Sequence, residues 1–241
     1  MTGWAWVGDV LRDKGIAGSA VFIGGSIARG WANPGSDVDA YVLDAAADEM
    51  VSLEPGGGRP PVDVHAISTA TLEALFGKVS WAAARGGTPA GAVTIDEWLF
   101  LERLTYPLPV DGAPRLAELQ ARLDNSAHRF LTVQEHLTDA DGFADDCLGQ
   151  LEAGDAASAV ISAQQSFLRS LDALLSSGGC LCRNPKWRSR AMREACPTAL
   201  SYRDYWSIQT MADLPVLGES GWARRTLATA RRVMAEADLG G

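Results

Sequence analysis

The hydrophobic period of this chain changes once along its length. Up to about residue 67 the apolar residues stand in short runs or alternate with polar ones, as on strands; from about residue 95 they recur three and four apart, as on helices. That order predicts an α/β (α+β) protein: an N-terminal domain with a short mixed sheet flanked by helices, then a C-terminal α-helical bundle. Pro107, Pro109, Asp111-Gly112 and Pro114 form a turn signal, and the boundary is placed there, with residues 1–111 in the sheet domain and 112–241 in the helical one. Both halves can fill a core, because 47% of the 241 residues are hydrophobic.

Trp4, Val7 and Leu11 predict a short amphipathic helix closed by Gly15. Ser19 to Ile23 reads as a strand that stops at Gly24-Gly25, and residues 37–43 and 61–67 read as two more. Between these two lies Glu54-Pro55-Gly56-Gly57-Gly58-Arg59-Pro60-Pro61, expected to be a surface crossover. Further on, Leu116, Leu119, Leu123 and Phe130 share a face of one long helix. A second helix runs from an N-cap at Asp155 to a stop at Gly178-Gly179, and a third covers about 219–237 with Trp222, Leu227, Val233 and Met234 for packing.

Charge narrows the partners. Against 30 Asp and Glu stand 21 Lys and Arg, a formal charge of −9, so general attraction to nucleic acid or anionic lipid is not expected and an anionic ligand must meet a local basic site or a metal ion. The opening MTGWAWVGDVLRDKG has no basic segment followed by an apolar one, and no apolar run approaches the roughly 20 residues of a membrane span, which predicts a cytoplasmic protein. Cys147, Cys180, Cys182 and Cys196 are expected to be free thiols: they are too few and uneven for a disulfide framework, and Cys180-Leu181-Cys182 is too closely spaced for a zinc knuckle.

The chemistry concentrates between residues 21 and 65. In an extended strand Asp37 and Asp39 project from one face while Val38, Ala40 and Val42 line the other. Like charges so placed repel, and a divalent cation is the natural remedy; hard oxygen ligands select Mg²⁺ or Mn²⁺. Alone, Asp-Val-Asp fits the exposed start of an edge strand better. Upstream, however, a strand ends in Gly24-Gly25-Ser26 with a helix behind it, an arrangement that offers backbone N–H groups and a hydroxyl to phosphate oxygens, and Arg29 stands one turn on. Asp63 and His65 share one face of a third strand. If that strand lies beside the one bearing Asp37 and Asp39, three carboxylates converge where two metal ions and a triphosphate meet. His65 reads as a structural histidine.

Gly24-Gly25-Ser26, then Asp37-Val38-Asp39 eleven residues after Ser26, then a separate hydrophobic-Asp-hydrophobic strand at Asp63 resemble the signature of the DNA polymerase β-type nucleotidyltransferase superfamily. The local wording G-S-x-A-R-G-x-A…S-D-x-D is similar to its small stand-alone branch, which includes aminoglycoside adenylyltransferases; the match is tight over about 19–67. The resemblance implies that Asp37 and Asp39 bind two catalytic Mg²⁺ ions, that Asp63 completes the triad, and that Gly25 and Ser26 hold the phosphates of a nucleoside triphosphate. Ile27 departs from the pattern, since relatives often carry a polar or basic residue there, which leaves more of the phosphate contact to Arg29.

Arg183, Lys186, Arg188, Arg190 and Arg193 form a basic cluster in an acidic chain, either a solvated helix face or a counter-charge for a triphosphate. In two-domain antibiotic nucleotidyltransferases a lysine near the start of such a helix has the second role, and Asn184-Pro185-Lys186-Trp187 looks similar, so Lys186 is a candidate nucleotide ligand. Trp187 and Trp222 are expected in the core. The expected reaction is transfer of a nucleotide, in the first instance AMP from ATP, onto a hydroxyl of a small molecule such as an aminoglycoside, in a cleft between the two domains. Duplex DNA is not expected as a partner, for want of a basic arm or helix-hairpin-helix. Two other readings stay open: a toxin-type, protein- or tRNA-modifying nucleotidyltransferase, and a non-catalytic nucleotide-binding regulatory module.

Overall fold

The computed structural model describes residues 3–87 and 92–237. The chain divides into two compact units, Met1–His128 and Arg129–Gly241. The first contains α1 (Ala5–Asp13), β1 (Ala20–Ile23), the single turn α2 (Gly25–Ala28), β2 (Val38–Ala45), β3 (Glu49–Leu53), β4 (Val62–Ser68), α3 (Thr69–Lys78), α4 (Trp81–Arg85), α5 (Ile95–Thr105), β5 (Leu108–Asp111) and α6 (Ala113–Asp124). The five strands form one mixed sheet in the order β3-β4-β2-β1-β5. Only β2 and β4 pair in parallel. The chain leaves β2 for the outer strand β3 and turns back through Gly56, Gly57 and Gly58, all at positive φ, which lays β4 between them.

Both faces of the central strand are covered. Val38, Ala40 and Val42 of β2 and Val62, Val64 and Ala66 of β4 pack in one cluster with Val7 and Leu11 of α1. On the other face Tyr41 stacks on Phe22 at 4.9 Å and meets Phe100 of α5 at 5.7 Å. Alternation therefore holds only at the start of β2, and from Ala40 to Leu43 every residue is buried.

Two strands differ from the sequence expectation, for physical reasons. β3 precedes the expected crossover in a stretch that sequence reading left unassigned, because it is an exposed edge whose five residues, EMVSL, include no fully buried one. β5 carries Pro109 within the segment read as a domain boundary; it pairs only with β1, and an edge strand tolerates a residue with no N–H to donate. The first unit accordingly runs to His128 instead of ending at 111, and takes in α6, whose Leu116, Leu119 and Leu123 are buried. The one long helix expected around Leu116 to Phe130 is two. Asn125 Nδ2 and Ser126 Oγ donate to the carbonyls of Ala121 and Leu123, each at 2.7 Å, and stop α6 there.

The bulge in β2 falls at Asp44, in the left-handed region at φ 55. Arg115 of α6 donates from Nε at 2.9 Å and Nη2 at 3.3 Å to its carboxylate, Thr69 donates at 3.0 Å, and Ser19 donates as well. These donors, Arg115 foremost, hold the Asp44 carboxyl down at about 2 against an ordinary 3.8. A depressed carboxylate stabilises the fold above its unfolded value and ceases to do so as pH falls through the folded one. Asp44→Asn is therefore expected to cost roughly 1–2 kcal/mol at neutral pH, and urea melts of the two proteins should converge as pH falls from about 4 to 2.

The second unit contains all but the first residue of α7 (His128–Glu152), then α8 (Ala156–Ser177), a 3₁₀ turn (Pro185–Trp187), α9 (Arg188–Ala195), α10 (Tyr202–Gln209) and α11 (Leu214–Ala235). α8 has the expected ends: Asp155 accepts from the Ser158 N–H at 3.1 Å, and Gly179 follows at φ 82. Ala144, Cys147, Ala159, Val160, Ala163, Ala223 and Leu227 enclose Trp222, where the small residues let α7, α8 and α11 approach closely. Trp222 is thus core, as expected, and Trp187 is half-buried. α11 begins five residues before the expected start at 219 and is interrupted by Gly218 at φ 66, ψ 167. The four cysteines are free. Among the described residues no helix is long and apolar enough to cross a membrane.

Candidate active site

The parallel pairing of β2 and β4 sets Asp39 directly opposite Asp63, and Tyr41 opposite His65. Residues in register on neighbouring strands project from the same face, so the two carboxylates share one side of the sheet while Val38, Val62 and their neighbours fill the other. Asp37, just ahead of β2, is exposed, whereas Asp39 and Asp63 are half-buried. Asp37 and Asp63 both act electrostatically on Asp39. Asp63 therefore lies on the same side of the sheet as Asp39.

The glycine turn closes against the same carboxylate. The Gly24 N–H donates to the Asp39 carbonyl at 2.9 Å, which locks the end of β1 to β2. Gly25 follows at φ 62, and a Cβ there would lie 2.1 Å from Asp39 Oδ2, far inside van der Waals contact. Position 25 thus requires glycine twice over, for its backbone conformation and for the approach of the acid. Ser26 is the second residue of α2, and Ile27 packs into the cluster beneath the sheet, an apolar anchor at the position where the sequence departs from its pattern. Arg29 closes α2 with its guanidinium between the rings of Trp31 and Tyr106, 3.9 Å from each centroid. Gly25→Ala is expected to destabilise the protein by about 1–3 kcal/mol and to displace the Asp39 carboxylate, so a melting curve and a turnover assay should fall together; a variant with unchanged turnover would contradict the packing.

Burial pushes the Asp39 carboxyl above its ordinary 3.8; Arg103 and His65 pull it down, and the carboxylates of Asp37 and Asp63 add to the rise. Burial lowers the His65 imidazole, with Asp39 opposing. His65 stacks on Tyr41 at 4.8 Å and 9°, in keeping with its structural reading. Asp63 accepts a hydrogen bond from Ser52 Oγ of β3, which orients its carboxylate from the strand that sequence reading missed.

Arg103 is the other residue that sequence reasoning did not find. Its side chain packs on Gly24, its guanidinium carbon lies 5.9 Å from the Tyr41 ring centroid, and Nη1 donates to the Leu99 carbonyl at 3.2 Å. Nε is buried with no hydrogen-bond partner among the described residues. Nothing in the pattern of α5 marks this arginine, because its place beside Asp39 follows from how that helix docks.

Among the described residues no three His, Cys, Asp or Glu side chains gather closely enough to hold an ion by themselves. What stands here is carboxylate oxygen, with two acids at adjacent register and a third ahead of them. That donor set fits Mg²⁺, which takes one or two carboxylates and completes its shell with water and phosphate oxygens. It does not fit zinc, which wants nitrogen or sulfur from the protein.

Neither a family model nor a curated protein matches this chain.

The basic cluster of the second unit is largely absorbed. Arg188 is buried and donates to both oxygens of Asp172 at 2.7 and 2.8 Å, Arg183 pairs with Glu135, and Arg193 donates to the Tyr202 hydroxyl at 2.8 Å. Arg190 and Lys186 lie over the Trp187 ring at 5.0 and 5.3 Å. Lys186 is exposed in the turn before α9, its backbone N–H bonded to Asn184 Oδ1 at 3.2 Å.

Proposed function

We propose that this protein is a Mg²⁺-dependent nucleotidyltransferase that moves a nucleoside monophosphate, AMP from ATP in the first instance, onto a hydroxyl of a small molecule. The observation that carries this reading is the register of Asp39 against Asp63, with Gly25 packed onto the Asp39 carboxylate. A structural sheet has no use for half-buried acids side by side, since their repulsion costs stability; a site that receives a divalent cation with its substrate does.

Asp37, Asp39 and Asp63 would hold the ions, with Mn²⁺ an acceptable substitute, and the metal would supply charge stabilisation at the phosphates. The protein's own groups do the rest. The turn at Gly25-Ser26 seats the triphosphate tail through its backbone N–H groups and the Ser26 hydroxyl. Asp63, oriented by Ser52, takes the proton of the acceptor hydroxyl. The acceptor oxygen forms a bond to the α-phosphorus, the bond from that phosphorus to the bridging oxygen breaks, and pyrophosphate leaves with the electron pair. Burial raises the Asp39 carboxyl, and Arg103 beside it opposes that rise.

The chain's negative charge suits a cationic acceptor, and an aminoglycoside has both the charge and the hydroxyls. The test is mass spectrometry of reactions holding the protein, each nucleoside triphosphate in turn, Mg²⁺ and a panel of aminoglycosides, nucleosides and tRNA. The expected result is the gain of one nucleotide on a small hydroxylated panel member. Gain on tRNA or on the protein itself would replace that acceptor class with a macromolecular one, and tight binding of Mg-nucleotide without transfer to any member would favour a regulatory module.

A further inference from the structure

Arg103 of α5 is fitted to the same glycine turn as the Asp39 carboxylate. A Cβ on Gly24 would meet the Arg103 Cβ and Cγ, each at 3.0 Å, and a Cβ on Gly25 would meet Asp39 Oδ2. Two successive glycines thus leave their open sides to an arginine stem and to an acid. The turn, β2, β4 and α5 all belong to the first unit.

The guanidinium held there is underused. Arg115 and Arg122 of α6 fork onto Asp44 and Glu73. Arg103, half-buried, has one hydrogen bond, from Nη1 to the Leu99 carbonyl of its own helix at 3.2 Å; Nε is buried without a partner, and among the described residues the side chain pairs with no carboxylate. Its charge acts on Asp39, Tyr41 and His65, yet none of them accepts a bond from it. Buried donors are nearly always satisfied, so an open guanidinium beside the acids and the turn points to an acceptor that comes with the substrate. A bare anion does not suit the place, because Asp37, Asp39 and Asp63 repel it; a phosphate that brings a divalent ion does.

We propose that Arg103 is a phosphate ligand of the incoming nucleotide, and that it makes the site take metal and triphosphate together in preference to either alone. This rests on the nucleotidyl-transfer reading of Asp39 and Asp63. A divalent ion entering by itself meets the fixed positive charge of Arg103 beside its carboxylate ligands, and a phosphate entering by itself meets the acids. The metal-bound triphosphate avoids both penalties: its oxygens fill the guanidinium fork while the ion neutralises the acids.

Two titrations of the full chain test this: Mn²⁺ alone, followed by loss of the free-ion electron paramagnetic resonance signal, and Mn²⁺-tripolyphosphate, which carries the phosphate chain without base or sugar, followed by calorimetry. Arg103→Met keeps an unbranched stem against Gly24 and removes the charge. The expected result is that this variant binds Mn²⁺ alone about threefold or more tighter than the parent and Mn²⁺-tripolyphosphate about tenfold or more weaker. Opposite signs mark a ligand, since damage to the local fold weakens both. Arg103→Lys, which keeps the charge without the fork, should bind Mn²⁺ like the parent and Mn²⁺-tripolyphosphate about threefold or more weaker, and it decides the matter if the methionine variant does not melt cooperatively. Unchanged binding of Mn²⁺-tripolyphosphate in these variants, or both affinities falling together in a variant that melts like the parent, would overturn the role of Arg103 and leave the carboxylate site standing. A parent that binds neither probe would overturn the carboxylate site and this proposal with it.

Discussion

Asp39→Asn is expected to cost at least about a thousandfold in turnover, roughly 4 kcal/mol of transition-state stabilisation, while raising the melting temperature of the metal-free protein. The two effects share one cause. Asp39 is half-buried in register with Asp63, and its ionised form is disfavoured first by burial and then by the neighbouring acids. A carboxyl raised in the fold costs nothing below its unfolded value of 3.8; the penalty grows as pH climbs through the raised folded value and is constant above it. Asparagine keeps the shape and removes the charge, so the variant should gain about 2–4 °C for each kcal/mol relieved, with the gain largest at neutral pH and fading in acid. Mg²⁺ should raise the melting temperature of the parent and leave Asp39→Asn unmoved. Loss of turnover with loss of stability would instead assign the residue to folding alone.

The largest stability effect belongs to the other unit. Arg188 and Asp172 are 7% and 5% exposed and share two hydrogen bonds of 2.7 and 2.8 Å. Burial by itself would ease the proton off Arg188, but the Asp172 carboxylate more than compensates, so the guanidinium holds its proton more tightly than usual. Removing one partner strands the other without water, at a cost of about 3–5 kcal/mol. Arg188→Ala is expected to lower the melting temperature by roughly 6–20 °C. The double variant Arg188→Met with Asp172→Leu, which fills the space with apolar atoms and leaves no buried charge, should recover most of the loss. A single variant as stable as the parent would mean that the pair is solvated in solution.

Those two results separate what the sequence discloses from what it hides. The shared face of Asp39 and Asp63 was legible in part because strand alternation is rigid: each acid stands between apolar residues that must point the other way. That β4 lies beside β2, in the register that pairs Asp39 with Asp63, depended on the return through β3, which is too exposed to announce itself. β5 was hidden by Pro109, a residue that marks turns and edge strands alike. The break between α6 and α7 carries no glycine or proline, only side-chain caps from Asn125 and Ser126.

Charged residues were the least legible. Five cations near Lys186 read as one cluster, yet Arg188 is buried on Asp172 and Arg183 reaches Glu135, partners far away in sequence. Arg103 stands beside Asp39 for the same kind of reason: helix docking, which no local pattern encodes, decides which acid an arginine meets.

Crystals grown with Mn²⁺ and a non-hydrolysable ATP analogue, measured at the manganese absorption edge, put the central claim to its most direct test. The account predicts an anomalous peak between the carboxylates of Asp39 and Asp63, with the triphosphate lying along Gly25 and Ser26. A bound nucleotide whose metal and phosphates lie away from that face of the sheet would contradict it.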